Sequence, residues 1–284
     1  MDNLPLLSSA LHLHAVEGVV YFDRPMWVRR LASATLRGFS GHRLREHFPE
    51  VCDTYFKPVA EGKPSACVFL NLDTFAYEGE TFQFRIISCA PGLDVITTIQ
   101  EALDRGRGLP FGNQGALLQY VEWHETIRLA FEGYHGHNPE ARIILATPTQ
   151  LRIAKRTISE YEINLAHIVR ACVTRLNALS KAYGNGLQLE EAPYLAESAF
   201  ARESDRRLRF VTPKRWSSTQ DQGINLAGVV GSMRYTGVHP SLTDLLYTAN
   251  VLHVGRHTSE GCGRVIAIPA REKSYDGLPK DDEW

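Results

Sequence analysis

The feature that most constrains the fold is an order of hydrophobic patterns that occurs twice along the chain. Apolar and polar residues alternate in a half-buried strand, whereas apolar residues recur every three to four positions in an amphipathic helix. In the first half these patterns predict a strand at 11–22, a helix at 25–47, strands at 66–72 and 81–89, a helix at 91–105 and a strand at 116–123. Pro25 suits the first turn of the first helix, Gly38 and Gly41 are expected to interrupt it, and Pro49 to stop it.

The second half repeats this order with longer insertions. Its patterns predict a strand at 143–146, a helix at 159–183, strands at 208–211 and 225–235, a helix at 241–252 and a strand at 264–268. The order β-α-β-β-α-β is that of the ferredoxin-like, or RRM-like, unit. We therefore expect an α+β protein with an N-terminal ferredoxin-like domain at 1–138, a C-terminal one at 139–272 and an acidic tail at 273–284.

Composition excludes several classes of protein. No apolar run approaches the ~20 residues that a membrane span needs, and the first residues lack the pattern of a secretory leader, so we expect a cytoplasmic protein without a membrane partner. The 5 cysteines are never spaced as Cys-x-x-Cys, which argues against a disulfide framework or a zinc site. Since the formal net charge is only -1, any case for nucleic-acid binding has to rest on local clusters.

A glycine-rich loop precedes the last strand of each half, at 106–115 and at 255–264. Glycines allow a backbone to approach an anion closely, and the second loop adds side-chain donors. Its candidate RNA-binding residues are Gly255, Arg256, His257, Gly261, Gly263 and Arg264. The alternative is that each loop is only a tight turn.

Basic residues cluster in three further stretches, which would form a track for a phosphate backbone if they met on one face. The clusters are Arg29, Arg30, Arg37, Arg43 and Arg45; Arg152, Lys155 and Arg156; and Arg202, Arg206, Arg207, Arg209, Lys214 and Arg215. Each of them could instead be an ordinary solvated surface.

Among 11 histidines, His42 is the best candidate for chemistry. It follows two glycines at the expected helix break and is flanked by arginines, so a group that titrates near neutral pH would lie among cations. His12, His14 and His167 are expected to be structural. His135 and His137 have the spacing of a metal pair, but no nearby carboxylate or cysteine completes a ligand set, and we expect no metal or other cofactor.

Several segments resemble one known family. Residues 228–237 (GVVGSMRYTG) and 245–264 (LLYTANVLHVGRHTSEGCGR) closely resemble the C-terminal domain of the CRISPR precursor-RNA processing endoribonucleases of the RAMP superfamily. Weaker similarity lies at 36–44, at 77–82 and at 147–149, in the order found in the family. Many relatives carry a cysteine cluster after the first helix, but only Cys52 and Cys67 occur here, so the resemblance implies no zinc site.

The resemblance implies metal-independent cleavage within CRISPR repeat RNA, by attack of a ribose 2′-hydroxyl on the adjacent phosphate, to give mature crRNA that is released or stays bound. It makes His42, Arg37 and Arg45 the candidate catalytic residues, and adds Arg29, Arg30, Arg43, Lys214 and Arg215 to the candidate RNA-binding residues of the loop. Other CRISPR effector subunits are implied as partners. The main alternative is a RAMP-type subunit that holds crRNA without cutting it. A metal-dependent hydrolase using His135 and His137, or His253 and His257, is a third reading.

Overall fold

The computed structural model describes residues 10–57, 63–73, 76–129, 140–217 and 222–269. The first half contains strands β1 (Leu13–Val28), β2 (Cys67–Asn71), β3 (Tyr77–Ser88), β4 (Leu118–Trp123) and β5 (Ile127–Leu129), with helices α1 (Ala32–His47) and α2 (Asp94–Asp104). These strands form an antiparallel sheet in the order β2-β3-β1-β4, and β5 also pairs with β1. This is the strand order of a ferredoxin-like unit.

The second half contains strands β6 (Glu140–Thr149), β7 (Arg152–Ile153), β8 (Arg156–Thr157), β9 (Arg202–Val211), β10 (Lys214–Ser217), β11 (Gln222–Asn225), β12 (Gly228–Thr236) and β13 (Val265–Pro269). Its helices are α3 (Leu165–Tyr183), α4 (Glu191–Ser198) and α5 (Pro240–Leu252). The second antiparallel sheet has the order β13-β6-β12-β9, while β7-β8 and β10-β11 are separate hairpins. Both halves therefore have ferredoxin-like topology, as the sequence predicted. The expected boundary at 138–139 and the acidic tail lie outside the described residues.

Each sheet buries one face against its helices. In the first half, Val20, Phe84 and Ile86 pack with Leu36 of α1 and Ile99 of α2. An equivalent core in the second half is built from β6, β12, α3 and α5. Apolar alternation along the strands and the helical repeat along α2, α3 and α5 therefore account for the two cores.

The first helix departs from the sequence prediction. Pro25 lies inside β1, next to a register irregularity between Tyr21 and Met26, and not in a helix. Helix α1 starts at Ala32 and runs without a break to His47. Gly38 and Gly41 do not interrupt it, because a glycine in a helix costs about 1 kcal/mol but leaves the hydrogen bonds intact. Gly41 admits a neighbour instead: a Cβ there would lie 2.6 Å from the Phe56 ring.

Other differences are at insertions and element ends. Residues 77–79, expected to turn, belong to β3, and the helix expected from 159 begins at Leu165, where Asn164 accepts a hydrogen bond from the amide of His167. Strand β5, helix α4 and both hairpins were not predicted, because segments of two to eight residues carry too little periodicity.

The two halves contact each other through α1, α3 and α5. Leu31, which precedes α1, and Ala34 of α1 pack against Val230 and Cys262 of the second half. Leu176 and Leu179 of α3 join the core of the first half, and Val251 of α5 covers the other face of the first sheet. None of the helices in the described ranges is long and apolar enough to cross a membrane.

Candidate functional site

The glycine-rich loop at 255–264 lies against the first half of the chain. The Ser33 hydroxyl in α1 donates to the backbone oxygen of Glu260 at 3.2 Å. Gly261 adopts a left-handed φ of +90°, and a Cβ there would lie 2.4 Å from Ser33 Oγ and 2.8 Å from the Phe69 oxygen. Only glycine fits both this backbone and this close approach, so Gly261 allows the loop to lie between α1 and β2.

A buried carboxylate organises the cations at this junction. Glu260 accepts two hydrogen bonds from Arg215, at 2.9 Å from Nε and 2.7 Å from Nη2. Arg37 Nη1 lies 3.8 Å from Glu260 Oε1, and His257 Nδ1 lies 3.7 Å from Oε2. The structure thus brings together three of the predicted site residues from distant parts of the chain. Glu260 itself was missed, although a single carboxylate in a cationic loop was a possible signal.

Burial and the charged groups of this cluster shift the pKa values of Glu260 and His257. Burial alone would raise the pKa of Glu260, but the hydrogen bonds from Arg215 and the charges of Arg215 and Arg37 lower it overall. Burial lowers the pKa of His257, helped by Arg256 and Arg215 and opposed by Glu260. Glu260 is therefore ionised and His257 neutral at pH 7.

Arg37 lies inside this cluster and not in an open site. Its side chain is 9% exposed. One guanidinium nitrogen donates to the Phe56 oxygen at 3.4 Å, and its Cζ lies 4.9 Å from the centre of the Phe56 ring. A buried side chain with these contacts holds other groups in place and is poorly placed to touch a phosphate.

Exposed cations lie beyond Arg37, towards the end of α1. Arg45 has a side chain that is 51% exposed, and its closest carboxylate oxygen, on Asp53, is 3.9 Å away. Lys57 follows the π-helical turn Cys52–Phe56. Burial, followed by the charges of Arg37, Arg45 and Arg215, lowers the pKa of Lys57. Sequence patterns did not identify this lysine, because only the tertiary structure places it beside three arginines.

His42 occupies a different setting from the one predicted. It is an exposed residue within the continuous helix α1, so the expected helix break is wrong. Arg43 Nη2 lies 2.9 Å from His42 Nδ1. Because arginine can only donate, Nδ1 must accept, and the proton of the neutral ring is therefore on Nε2. Arg43 itself also pairs with Glu46 at 2.8 Å.

The loop does not present a cradle of free amides around Gly261 and Gly263. The amides of Gly261, Cys262 and Gly263 donate to Thr258, His257 and Pro148, respectively. A Cβ at Gly263 would lie 1.8 Å from the Val254 oxygen, and one at Gly255 would lie 2.4 Å from the Gln150 oxygen. Close contacts of these glycines with backbone atoms give them a packing role in the loop.

The remaining candidate RNA-binding residues lie in the glycine-rich loop, before α1 and in β10. Arg256 is exposed, whereas Arg264 is half-buried, donates to Asn250 at 2.9 Å and lines a small cavity between α5 and the first sheet. Arg29 and Arg30 precede α1, about 20 Å along the helix from Arg43 at 1.5 Å per residue. Lys214 is exposed beside Arg215. The basic residues therefore extend along α1 and are not gathered at one point.

The other histidines offer no open metal site among the described residues. His253 is fully buried, and its Nδ1 lies 3.0 Å from the Cys262 oxygen. His135 and His137 fall outside the described residues. Within those ranges, no group of three His, Cys, Asp or Glu side chains could hold a metal ion.

Part of the chain matches the sequence model of a known protein family. Residues 143–265 match the sequence model of the family described as CRISPR-associated endoribonuclease Cas6. None of the curated protein sequences matches significantly. The match confirms, over residues 143–265, the predicted resemblance to CRISPR repeat-processing endoribonucleases.

Solved structures of low sequence identity share the fold. A Thermus thermophilus Cas6 product complex has a TM-score of 0.59 at 16% identity, covering 90% of this chain and 100% of that one. A Cas6-related protein from Pyrococcus furiosus has a TM-score of 0.53 at 11% identity, covering 92% and 100%. A partial Cas6-RT-Cas1–Cas2 complex has a TM-score of 0.59 at 10% identity, covering 96% of this chain and 49% of that one.

Proposed function

Starting from the match of residues 143–265 to the Cas6 family, we propose that this chain is a metal-independent endoribonuclease that cleaves CRISPR precursor RNA within its repeats. The observation that carries the proposal is the meeting of the family's glycine-rich loop with α1 through Glu260, which joins the loop, Arg215 and Arg37 of α1 at one junction.

In the proposed reaction the ribose 2′-oxygen attacks the adjacent phosphorus while the bond to the next 5′-oxygen breaks. The 2′-hydroxyl loses its proton to a base, and the leaving 5′-oxygen gains one from an acid. The products are a 2′,3′-cyclic phosphate and a 5′-hydroxyl. Cations stabilise the additional negative charge on the phosphorane oxygens.

Three exposed or half-buried groups near the end of α1 suit these roles. Lys57 is our candidate for the acid, because an ammonium with a lowered pKa exchanges its proton more readily near neutral pH. His42 is exposed and contacts Arg43 through Nδ1. We propose that its other ring nitrogen, Nε2, exchanges a proton with the RNA. Arg45, which is half-exposed, is the candidate for charge stabilisation.

Arg37 acts on this site indirectly. Its guanidinium joins Glu260 of the loop to Phe56, the residue before Lys57. We therefore propose that Arg37 is a positioning residue, which holds the loop and Lys57 in a fixed relation while Arg45 and Lys57 meet the phosphate. Arg29, Arg30, Arg256 and Lys214 would bind phosphates on either side of the cleaved bond.

The proposed partners are CRISPR repeat RNA, its crRNA product and other CRISPR proteins. One structural relative was solved as a product complex, and another within a complex with RT, Cas1 and Cas2. We further propose that the protein works in the cytoplasm, where precursor RNA is made.

Cleavage of the host's own repeat RNA in EDTA tests the proposal. We expect cutting at one position, with a cyclic phosphate on the upstream fragment that acid converts to a monophosphate. Loss of cutting in EDTA and its return with a divalent cation would contradict metal independence. Tight binding without any cutting would instead favour a non-catalytic crRNA-binding subunit.

A further inference from the structure

A basic hairpin projects beside the glycine-rich loop. Strands β7 and β8 pair Arg152 with Thr157 and Ile153 with Arg156. Residues 152–156 are all exposed. The hairpin begins two residues after Gln150, whose oxygen accepts the amide of Arg256 at 3.1 Å. It therefore adjoins the edge of the proposed RNA site, yet none of its residues has a role in that site.

The tip of the hairpin is strained. Ala154 and Lys155 have φ values of 47° and 69°, in the left-handed region. Glycine or asparagine is the usual residue at both positions of such a turn, and other residues cost roughly 1 kcal/mol each there. The chain nevertheless carries a lysine at the tip, and that residue is exposed.

The hairpin carries two exposed cations, Arg152 and Lys155, and Arg256 of the neighbouring loop is exposed as well. Within the described part of the chain, no carboxylate pairs with the side chains of Arg152, Lys155 or Arg256. Arg156, by contrast, makes two hydrogen bonds with Glu162, at 2.9 and 2.6 Å, and so fixes the base of the hairpin. Within the described residues, the hairpin thus combines one anchored arginine with two cations that no carboxylate pairs, and it adjoins Arg256 of the proposed RNA site.

An exposed aromatic residue, Tyr161, follows the hairpin in the sequence. Tyr161 is 84% exposed, and both of its chain neighbours hold an arginine. The Glu160 oxygen accepts from Arg206 Nη1 at 2.8 Å, while the Glu162 carboxylate binds Arg156. These contacts fix the backbone on either side of Tyr161 and leave its ring in solvent. An exposed ring among cations is the combination that binds unpaired nucleotides, since bases stack on the ring and phosphates meet the cations.

We propose that the hairpin at 152–157 and Tyr161 form a second RNA-binding surface, which takes unpaired nucleotides flanking the segment held at the glycine-rich loop. The inference rests on the proposed function, because it extends the same RNA beyond the cleavage site. A single strand fits better than a duplex, because paired bases would have no free face for Tyr161. The positive charge disfavours a basic protein partner.

The test compares the host's repeat RNA with the same RNA extended by about eight uridines at either end, a length within the ~4–16 nucleotides that single-strand sites span. Fluorescence anisotropy on the full chain gives each dissociation constant. We expect an extension at one end to tighten wild-type binding about tenfold, and Tyr161→Ala to remove that gain while binding the unextended repeat normally. Lys155→Ala should reduce the gain. It should also make the slope of log affinity against log salt concentration shallower by about 0.7, the value expected for one phosphate of a single strand.

Three variants serve as controls and should keep the full gain. Tyr161→Phe retains the ring, Phe200→Ala removes an aromatic side chain that is 78% exposed elsewhere, and Lys181→Ala removes an exposed charge at the end of α3. Failure of wild-type protein to cut the unextended repeat would count against the proposed function, whereas the gain from the extension decides this inference alone. An equal gain in Tyr161→Ala, or no gain in wild type at either end, would overturn it.

Discussion

Replacing Glu260 by glutamine tests whether one carboxylate holds the two halves together. The Arg37 and Arg215 nitrogens lie 3.8 and 2.7 Å from the same carboxylate oxygen. At an effective dielectric constant of about 20, these separations correspond to attractions of roughly 4 and 6 kcal/mol. Desolvation of the three side chains offsets much of this gain, and removing one partner of a buried pair typically costs about 3–5 kcal/mol. We expect Glu260→Gln to lower the free energy of unfolding by that amount.

Urea unfolding followed by tryptophan fluorescence measures the loss. The matched control is Glu101→Gln, which removes a carboxylate from a half-exposed ion pair with Arg105 and should cost below about 1 kcal/mol. In an Arg37→Gln background, Glu260→Gln should lower the free energy of unfolding by less than it does alone. The reason is that one of the two arginines left without a carboxylate is already absent. Equal urea midpoints for Glu260→Gln, Glu101→Gln and wild type would refute the reasoning.

The loss of unfolding free energy in Glu260→Gln should depend on pH. The pKa of Glu260 is lowered in the folded protein, so its contribution to stability is complete above the ordinary value of 4.5 and is lost as pH falls through the lowered value. The curves of wild type and Glu260→Gln should therefore run parallel near neutral pH and converge in acid. If the free energies of unfolding of wild type and Glu260→Gln still differed in acid, the cause would be a packing defect and not the loss of a charge.

Four further outcomes are expected. His42→Ala should slow single-turnover cleavage by roughly 10²-fold or more with little change in RNA affinity; full activity in the folded variant would move the proton transfer elsewhere. Lys57→Met should slow cleavage similarly and abolish the decline in rate that wild type shows as rising pH deprotonates the acid, whereas an unchanged pH–rate profile would exclude Lys57. Gly261→Ala should destabilise the fold by at least about 1–3 kcal/mol in thermal melting, because its Cβ would meet Ser33 and Phe69; a melting temperature like that of wild type would contradict this packing. Arg256→Ala should weaken binding of repeat RNA and reduce the salt slope by about 0.7–0.9; an unchanged dissociation constant would remove Arg256 from the interface.

Much of the fold could be predicted from the sequence. The order of elements depends on local apolar periodicity, which is strong in α3 and in the strands of both cores, so both ferredoxin-like units were predicted. Boundaries were less accurate where the deciding contact is distant. Pro25 looks like a helix start, but pairing with β3 carries β1 past it to Val28. Gly41 looks like a helix breaker, but the packing of Phe56 against α1 requires a residue without a side chain there.

The candidate site shows the same division between sequence and structure. The sequence by itself determined which segments carry charge and glycine, and the glycine-rich loop with its neighbouring strand was enough to indicate the resemblance that the match of residues 143–265 supports. Tertiary structure alone decided that Arg37 and Arg215 share Glu260, that Arg37 is buried and Arg45 exposed, and that Lys57 lies among arginines. The physical reason is that periodicity is set by residues within a few positions of one another. Burial and charge pairing instead depend on residues brought together over more than 200 positions, as Arg37 and Glu260 are.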